Sequence, residues 1–263
     1  MTGKILLFLL VFTGLISAGA TEKILIVTSS GKTIHPTSVT LRNDGALEYR
    51  LSGELKKSVI GNDAYLYARL PQPEEVKNAD KKFKSRQWED AAALYRKAGN
   101  DHRKTGWRVY CVYNEALALD NMGRKNEAIL ALSQLEKESQ SDPGQISGLN
   151  QARDFLAKLL IDVNAFDEAL ELLQKQLRLN DSSLVFAAHI RRADILQKLD
   201  RKPEAAMLYY RTVLLFPNDP RSAEALYTCY TLLSALQDPD KEKIAEMLKQ
   251  NYKESSFTAQ LPR

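Results

Sequence analysis

One interval constrains this chain more than any other feature. Four times an alanine is followed twelve residues later by a second alanine and, four further on, by a bulky residue. The sets are Ala79, Ala91 and Tyr95; Ala116, Ala128 and Leu132; Ala157, Ala169 and Leu173; Ala193, Ala205 and Tyr209. Two antiparallel helices approach closely only where the facing side chains are small, so a fixed alanine-to-alanine spacing marks repeated helical hairpins. The bulky residue one turn after the second alanine fills the groove toward the next hairpin. Successive second alanines lie 37, 41 and 36 residues apart, which places insertions in the turns between hairpins. Turn residues agree with this reading. Asn121-Met122-Gly123-Arg124 and Asp162-Val163-Asn164-Ala165 offer side chains tolerant of positive φ at a helix end. Pro217 closes the fourth second helix and leads into a helix opening on Arg221-Ser222-Ala223-Glu224.

Amphipathic helical periodicity runs from Glu74 to about Tyr252, and before it the period is two. Lys23 to Thr28, Val39 to Leu41, Leu47 to Leu51, Leu55 to Ile60 and Ala64 to Leu70 read as short strands. Asn43-Asp44-Gly45 is a hairpin signal, and strict alternation puts Leu47, Tyr49 and Leu51 on one face. Strands this short and numerous predict a small, strongly bent sheet or barrel. So small a unit buries little apolar area and is expected to lean on the helices. Leu70-Pro71-Gln72-Pro73 ends it.

The first twenty residues read as a secretory leader. Lys4 supplies a positive start, Ile5 to Ile16 an apolar stretch, and Ser17-Ala18-Gly19-Ala20 a small-residue cleavage site. The stretch is shorter than the roughly 18–20 residues that span a bilayer, so cleavage after Ala20 is expected, with retention as an anchor the alternative. No cysteine lies near the cut, so no lipid anchor is expected. The domains expected are therefore a leader over 1–20, a β module over 21–73 and a helical repeat domain over 74–263. The formal charge of +4 becomes +3 when Lys4 is removed. Charge in the helical region is nearly balanced, which argues against a nucleic-acid-coating surface.

The repeats resemble the tetratricopeptide family. The clearest match is Tyr113-Asn114-Glu115-Ala116-Leu117-Ala118-Leu119 leading into Gly123-Arg124-Lys125-Asn126-Glu127-Ala128-Ile129. Phe166-Asp167-Glu168-Ala169-Leu170, Trp88-Glu89-Asp90-Ala91-Ala92 and Lys202-Pro203-Glu204-Ala205-Ala206 repeat the second half of that pattern. A fifth, degenerate hairpin follows in Ala223–Leu236 and Lys241–Tyr252. The ending Asn251-Tyr252-Lys253-Glu254-Ser255-Ser256 resembles the tails of bacterial envelope members of the outer-membrane-assembly and cell-division-coordinator type. The resemblance implies a mainly α fold, a solenoid of about five hairpins, preceded here by a small all-β module that resembles SH3-type barrels or a bent sheet.

It also implies a groove lined by the first helix of each hairpin. Carried onto this chain, the exposed groove positions are Tyr113, Leu117, Asp120 and Asn121 in repeat two, and Asp154, Lys158, Ile161 and Asp162 in repeat three. In repeat four they are Ile190, Asp194, Gln197 and Lys198. Val76 and Asp80 stand where the family's clamp for a C-terminal carboxylate needs Lys and Asn, so chaperone-tail binding is disfavoured. Tyr113 and Leu117, one turn apart beside mixed charges, suit an apolar anchor with a polar rim.

Catalytic chemistry finds no support. His35, His102 and His189 show no metal-ligand spacing, neither cysteine has a histidine near it in sequence, and nucleophile-elbow and phosphate-loop motifs are missing. Cys111 and Cys229 read as buried structural thiols, with a long-range bridge the alternative in an oxidising compartment. The expectation is an exported, non-enzymatic scaffold without cofactor or metal. It would bind an envelope protein or peptide, outside the cytoplasm and without a stable membrane span. Oligomeric state is left open. The alternative is a ligand-binding module whose β segment recognises glycan or cell-wall polymer through Tyr49, Tyr65 and Tyr67.

Overall fold

The computed structural model describes residues 24–139 and 146–262. The leader expected over residues 1–20 lies outside the described residues. The described chain divides into two units: residues 24–73 with Lys104–Gly106, and residues 74–103 with 107–262.

The first unit holds six short strands: β1 (Leu25–Thr28), β2 (Thr33–Ile34), β3 (Ser38–Leu41), β4 (Leu47–Arg50), β5 (Ser58–Ile60) and β6 (Tyr65–Arg69). They form two antiparallel sheets, ordered β2-β1-β6 and β3-β4-β5. The Asn43-Asp44-Gly45 turn joins β3 to β4. Gly45 takes φ +80° and donates its N–H to Arg42 O, while Asp44 Oδ1 accepts the Ala46 N–H at 3.1 Å. Register sets Leu41, Leu47 and Ile60 side by side on one face of the second sheet. Ile26, Leu47, Tyr65, Ala68 and Leu70 make the small core, with Ile34, Val39, Leu41, Tyr49 and Ile60 packed against it. Two details differ from the sequence reading. β2 has only two residues, too few to register as a period. The strand expected from Leu55 begins only at Ser58, and Leu55 itself is exposed because no neighbouring strand reaches it.

In the second unit ten α-helices form five hairpins. They are α1 (Glu74–Lys84) with α2 (Trp88–Asp101), α3 (Arg108–Asn121) with α4 (Lys125–Ser139), and α5 (Ile146–Asp162) with α6 (Phe166–Gln176). Then come α7 (Ser182–Lys198) with α8 (Lys202–Leu215), and α9 (Ser222–Ala235) with α10 (Lys241–Asn251). Consecutive helices pack together, and the first helices also pack on each other, α3 on α5 and α5 on α7. This is a tetratricopeptide-type solenoid. All eight alanines of the recurring interval are fully buried, and Tyr95, Leu132, Leu173 and Tyr209 beside them are buried as well. The small side chains thus sit where helices approach most closely, and the large ones fill the remaining space.

Every turn inside a hairpin closes the same way. The N–H of Gln87, Arg124, Ala165, Arg201 and Asp238 reaches back to the carbonyl of Lys82, Leu119, Leu160, Leu196 and Leu233 respectively, at 2.8–3.0 Å. Just before each of these residues stands one in the left-handed region: Arg86, Gly123, Asn164, Asp200 and Gln237. These are Schellman-type ends, which satisfy carbonyls the helix would otherwise leave open. Gly123 and Asn164 suit that conformation intrinsically, and Asp200 tolerates it better than most side chains. Arg86 and Gln237 are held in it by the recurrent geometry.

Candidate functional site

The residue after the first alanine of each repeat is Asp80, Leu117, Lys158 or Asp194. It lies one step around the helix from the face that meets the hairpin partner. In the middle repeats that step turns it toward the neighbouring first helix. The C-terminal turns of α5 and α7 there enclose a cleft of about 350 Å³. Lys158, Ile161 and Asp162 line it from α5, and Arg191, Asp194, Gln197 and Lys198 from α7. Six of the twelve groove positions named from sequence come together here. Ile161 is buried and contributes an apolar part of the lining, whereas Gln197 and Lys198 are exposed.

Arg191 organises the cleft. Its guanidinium donates from Nε and Nη2 to the two carboxylate oxygens of Asp154, both at 2.9 Å, and from Nη1 to Asp194 Oδ2 at 3.0 Å. Tyr209 from α8 donates its hydroxyl to the other oxygen of Asp194. Burial alone would lower the pKa of Arg191, but the hydrogen bonds and charges of the two aspartates hold it above its ordinary value. Burial, then the Asp194 charge, pushes the Tyr209 phenol up. Asp162 accepts from Lys125 Nζ at 2.7 Å, a hydrogen bond that raises the lysine's pKa. Sequence reasoning missed Arg191. Its only signal was an arginine three residues before Asp194, the i,i+3 spacing of a helical ion pair.

The remaining candidates lie outside this cleft. Asp154 joins it through Arg191. The Tyr113 ring meets Phe155 edge-on at 5.8 Å, and burial raises its phenol pKa. Leu117 is half-buried against the first core cluster and Ile190 against the second. Asp120 lies 4.0 Å from Lys125, and the Asn121 amide donates to Leu117 O at 2.8 Å. The Tyr113–Leu117 pair is therefore largely engaged within the solenoid.

A second network joins the first hairpin to α3. Asp80 Oδ1 accepts the hydroxyls of Tyr95 at 2.6 Å and Tyr110 at 2.9 Å, and burial raises both phenol pKa values. A sequence signal for it existed. Tyr95 and Tyr209 each follow an aspartate by fifteen residues, whereas Leu132 and Leu173 follow Leu117 and Lys158 at that spacing. Hydroxyl and carboxylate occur together because a buried tyrosine hydroxyl requires a partner.

Cys111 and Cys229 are free and buried, and burial pushes both thiols up to about 12, which makes them poor nucleophiles. Among the described residues no three His, Cys, Asp or Glu side chains are grouped to hold a metal ion. No described helix is long and apolar enough to cross a membrane. In the β unit Tyr65 is only 2% exposed and donates its hydroxyl to Gly45 O at 2.8 Å, so its ring is core and not a stacking face. Tyr49 packs against the same core.

Fold and cleft together define a helical-repeat protein with a cleft of charged and aliphatic lining on its first-helix face. Solved structures of similar fold include the apo form of RapI, with 13% identity and a TM-score of 0.59 over 70% of this chain and 54% of that one. The apo form of the quorum sensor NprR from B. thuringiensis matches with 15% identity and a TM-score of 0.54, over 69% and 54% of the two chains. BtubC (BKLC) from P. vanneervenii matches with 18% identity and a TM-score of 0.54, over 70% and 80%. The chain spans about half the length of RapI and NprR. No protein-family model and no curated protein matches the sequence.

Proposed function

We propose that this protein is an exported, non-enzymatic adaptor of the cell envelope that holds an extended segment of a partner protein in the cleft between α5 and α7. The observation that carries this reading is the cleft itself. Its walls come from the successive first helices of two hairpins, braced by the Arg191 fork, so that the exposed Gln197 and Lys198 are presented from a rigid frame. A volume of about 350 Å³ lies at the small end of ligand-binding cavities, the size of a few side chains rather than of a folded domain. Its lining mixes ammonium, amide and aliphatic groups, which suits contacts to a peptide backbone and its side chains. Buried cysteines of raised pKa and dispersed histidines support a binding role over catalysis. Export rests on the leader-like sequence of residues 1–20.

A photo-crosslinking residue placed at Gln197 in the native compartment is expected to yield a discrete adduct. The same residue at Gln174, exposed on the outer helix α6, is expected to yield none. Equal labelling at both positions, or none at either, would rule out the cleft as the holding site. Export predicts that the protein recovered from outside the cytoplasm begins at Thr21. Recovery only at full length inside the cytoplasm would remove that part of the reading.

A further inference from the structure

We infer that the cleft between α5 and α7 selects an acidic peptide segment, taking a ligand carboxylate between Lys158 and Lys198. This rests on the peptide-holding role above and names the chemistry of the partner. Charge within the lining favours that occupant. Both carboxylates in the lining are already engaged: Asp194 by Arg191 and the Tyr209 hydroxyl, Asp162 by Lys125. Asp154 behind them is engaged by the Arg191 fork. Arg191 itself makes three hydrogen bonds to these acids and is a brace. Two ammonium groups remain. Lys158 Nζ lies over the Phe155 ring, 5.5 Å from its centroid, a weak cation–π contact, and meets no carboxylate among the described residues; Lys198 meets none either. The lining carries three cations and two anions, a net of +1, and its anions are the members already in ion pairs. An incoming carboxylate thus finds ammonium groups that no carboxylate has paired, and an incoming lysine finds acids already in ion pairs.

Lys198 also stands in the last turn of α7, where a helix dipole favours a cation. A dipolar role alone separates cleanly from ligand recognition. It predicts that replacing Lys198 lowers the melting temperature and leaves peptide preference untouched.

The test uses the purified full chain and three dye-labelled nine-residue peptides alternating leucine with glutamate, glutamine or lysine, followed by fluorescence anisotropy. We expect the glutamate peptide to bind best and the lysine peptide worst. Lys158→Gln with Lys198→Gln should weaken the glutamate peptide roughly tenfold, from two partly exposed ion pairs, and leave the glutamine peptide unchanged. Lys158→Glu with Lys198→Glu should reverse the preference toward the lysine peptide. Lys175→Gln, which removes a lysine paired with Glu171 on the outer helix, is the control and should change nothing. Raising salt from 50 to 500 mM should erode only the glutamate advantage. Glutamine and glutamate peptides binding alike, or a glutamate preference that survives both double variants, overturns the acidic selection while peptide holding stands. Failure of all three peptides to bind overturns the peptide reading with it.

Discussion

Arg191→Ala is the perturbation from which most is learned, because it separates bracing from recognition. The wild-type guanidinium makes two hydrogen bonds to Asp154 and one to Asp194, and the three side chains are 24%, 29% and 26% exposed. A fully exposed ion pair contributes about 0–1 kcal/mol, and breaking a fully buried one costs about 3–5 kcal/mol. At roughly a quarter exposure the loss should fall between, about 2–3 kcal/mol, since two carboxylates are left facing each other with only the Tyr209 hydroxyl and water to satisfy them. Arg191→Lys keeps the charge but not the planar fork, and should cost about 1–2 kcal/mol. A double-mutant cycle with Asp154→Ala should show about twice the coupling of one with Asp194→Ala, following the two-to-one division of hydrogen bonds. Urea unfolding followed by circular dichroism measures the global effect. Because a solenoid is coupled chiefly through neighbouring repeats, hydrogen exchange should show lost protection in α5 and α7 and little change in α1 and α2. A loss under about 0.5 kcal/mol, or a larger coupling to Asp194 than to Asp154, would refute the bracing argument.

Three further outcomes follow from the packing and from the buried His102. Leu173 is fully buried and Leu170, on the same helix α6, is 40% exposed, so Leu173→Ala should cost about 2–5 kcal/mol and Leu170→Ala under about 1 kcal/mol by urea unfolding. Ala116→Leu places a branched side chain where α3 is fully buried, and should cost about 1–3 kcal/mol with a lowered melting temperature; an unchanged melting temperature would refute close approach at that alanine. Burial lowers the pKa of His102, so below its unfolded value of about 6.5 the unfolded chain binds the proton more readily than the folded one. Stability from this source is complete above about pH 6.5 and is lost as pH falls through the folded pKa, with His189 acting in the same direction. His102→Gln should therefore flatten the melting-temperature profile between pH 7.5 and 5.5, and an unaltered slope would refute the assignment.

How far the primary structure reaches is visible residue by residue. The alanine interval alone determined that there are closely packed hairpins and where their contacts lie, because a steric limit on helix approach acts through residue size and periodicity, both of which are local and readable. The turns at Gly123 and Asn164 were legible for the same reason, since those residues tolerate left-handed backbone by themselves. Arg86 and Gln237 were not, because nothing in their side chains favours that conformation and the closing hydrogen bonds of the hairpin impose it. The Asn43-Asp44-Gly45 turn was readable, and the two-residue strand at Thr33 was too short to carry a period. Groove positions could be placed on a face by helical phase, but their partners could not. That Asp154 meets Arg191 across 37 residues and that Lys125 reaches Asp162 depend on the distance between α5 and its neighbouring helices. Only the tertiary packing sets that distance, so it alone decided which charges are spent inside the solenoid and which two lysines are left to meet something else.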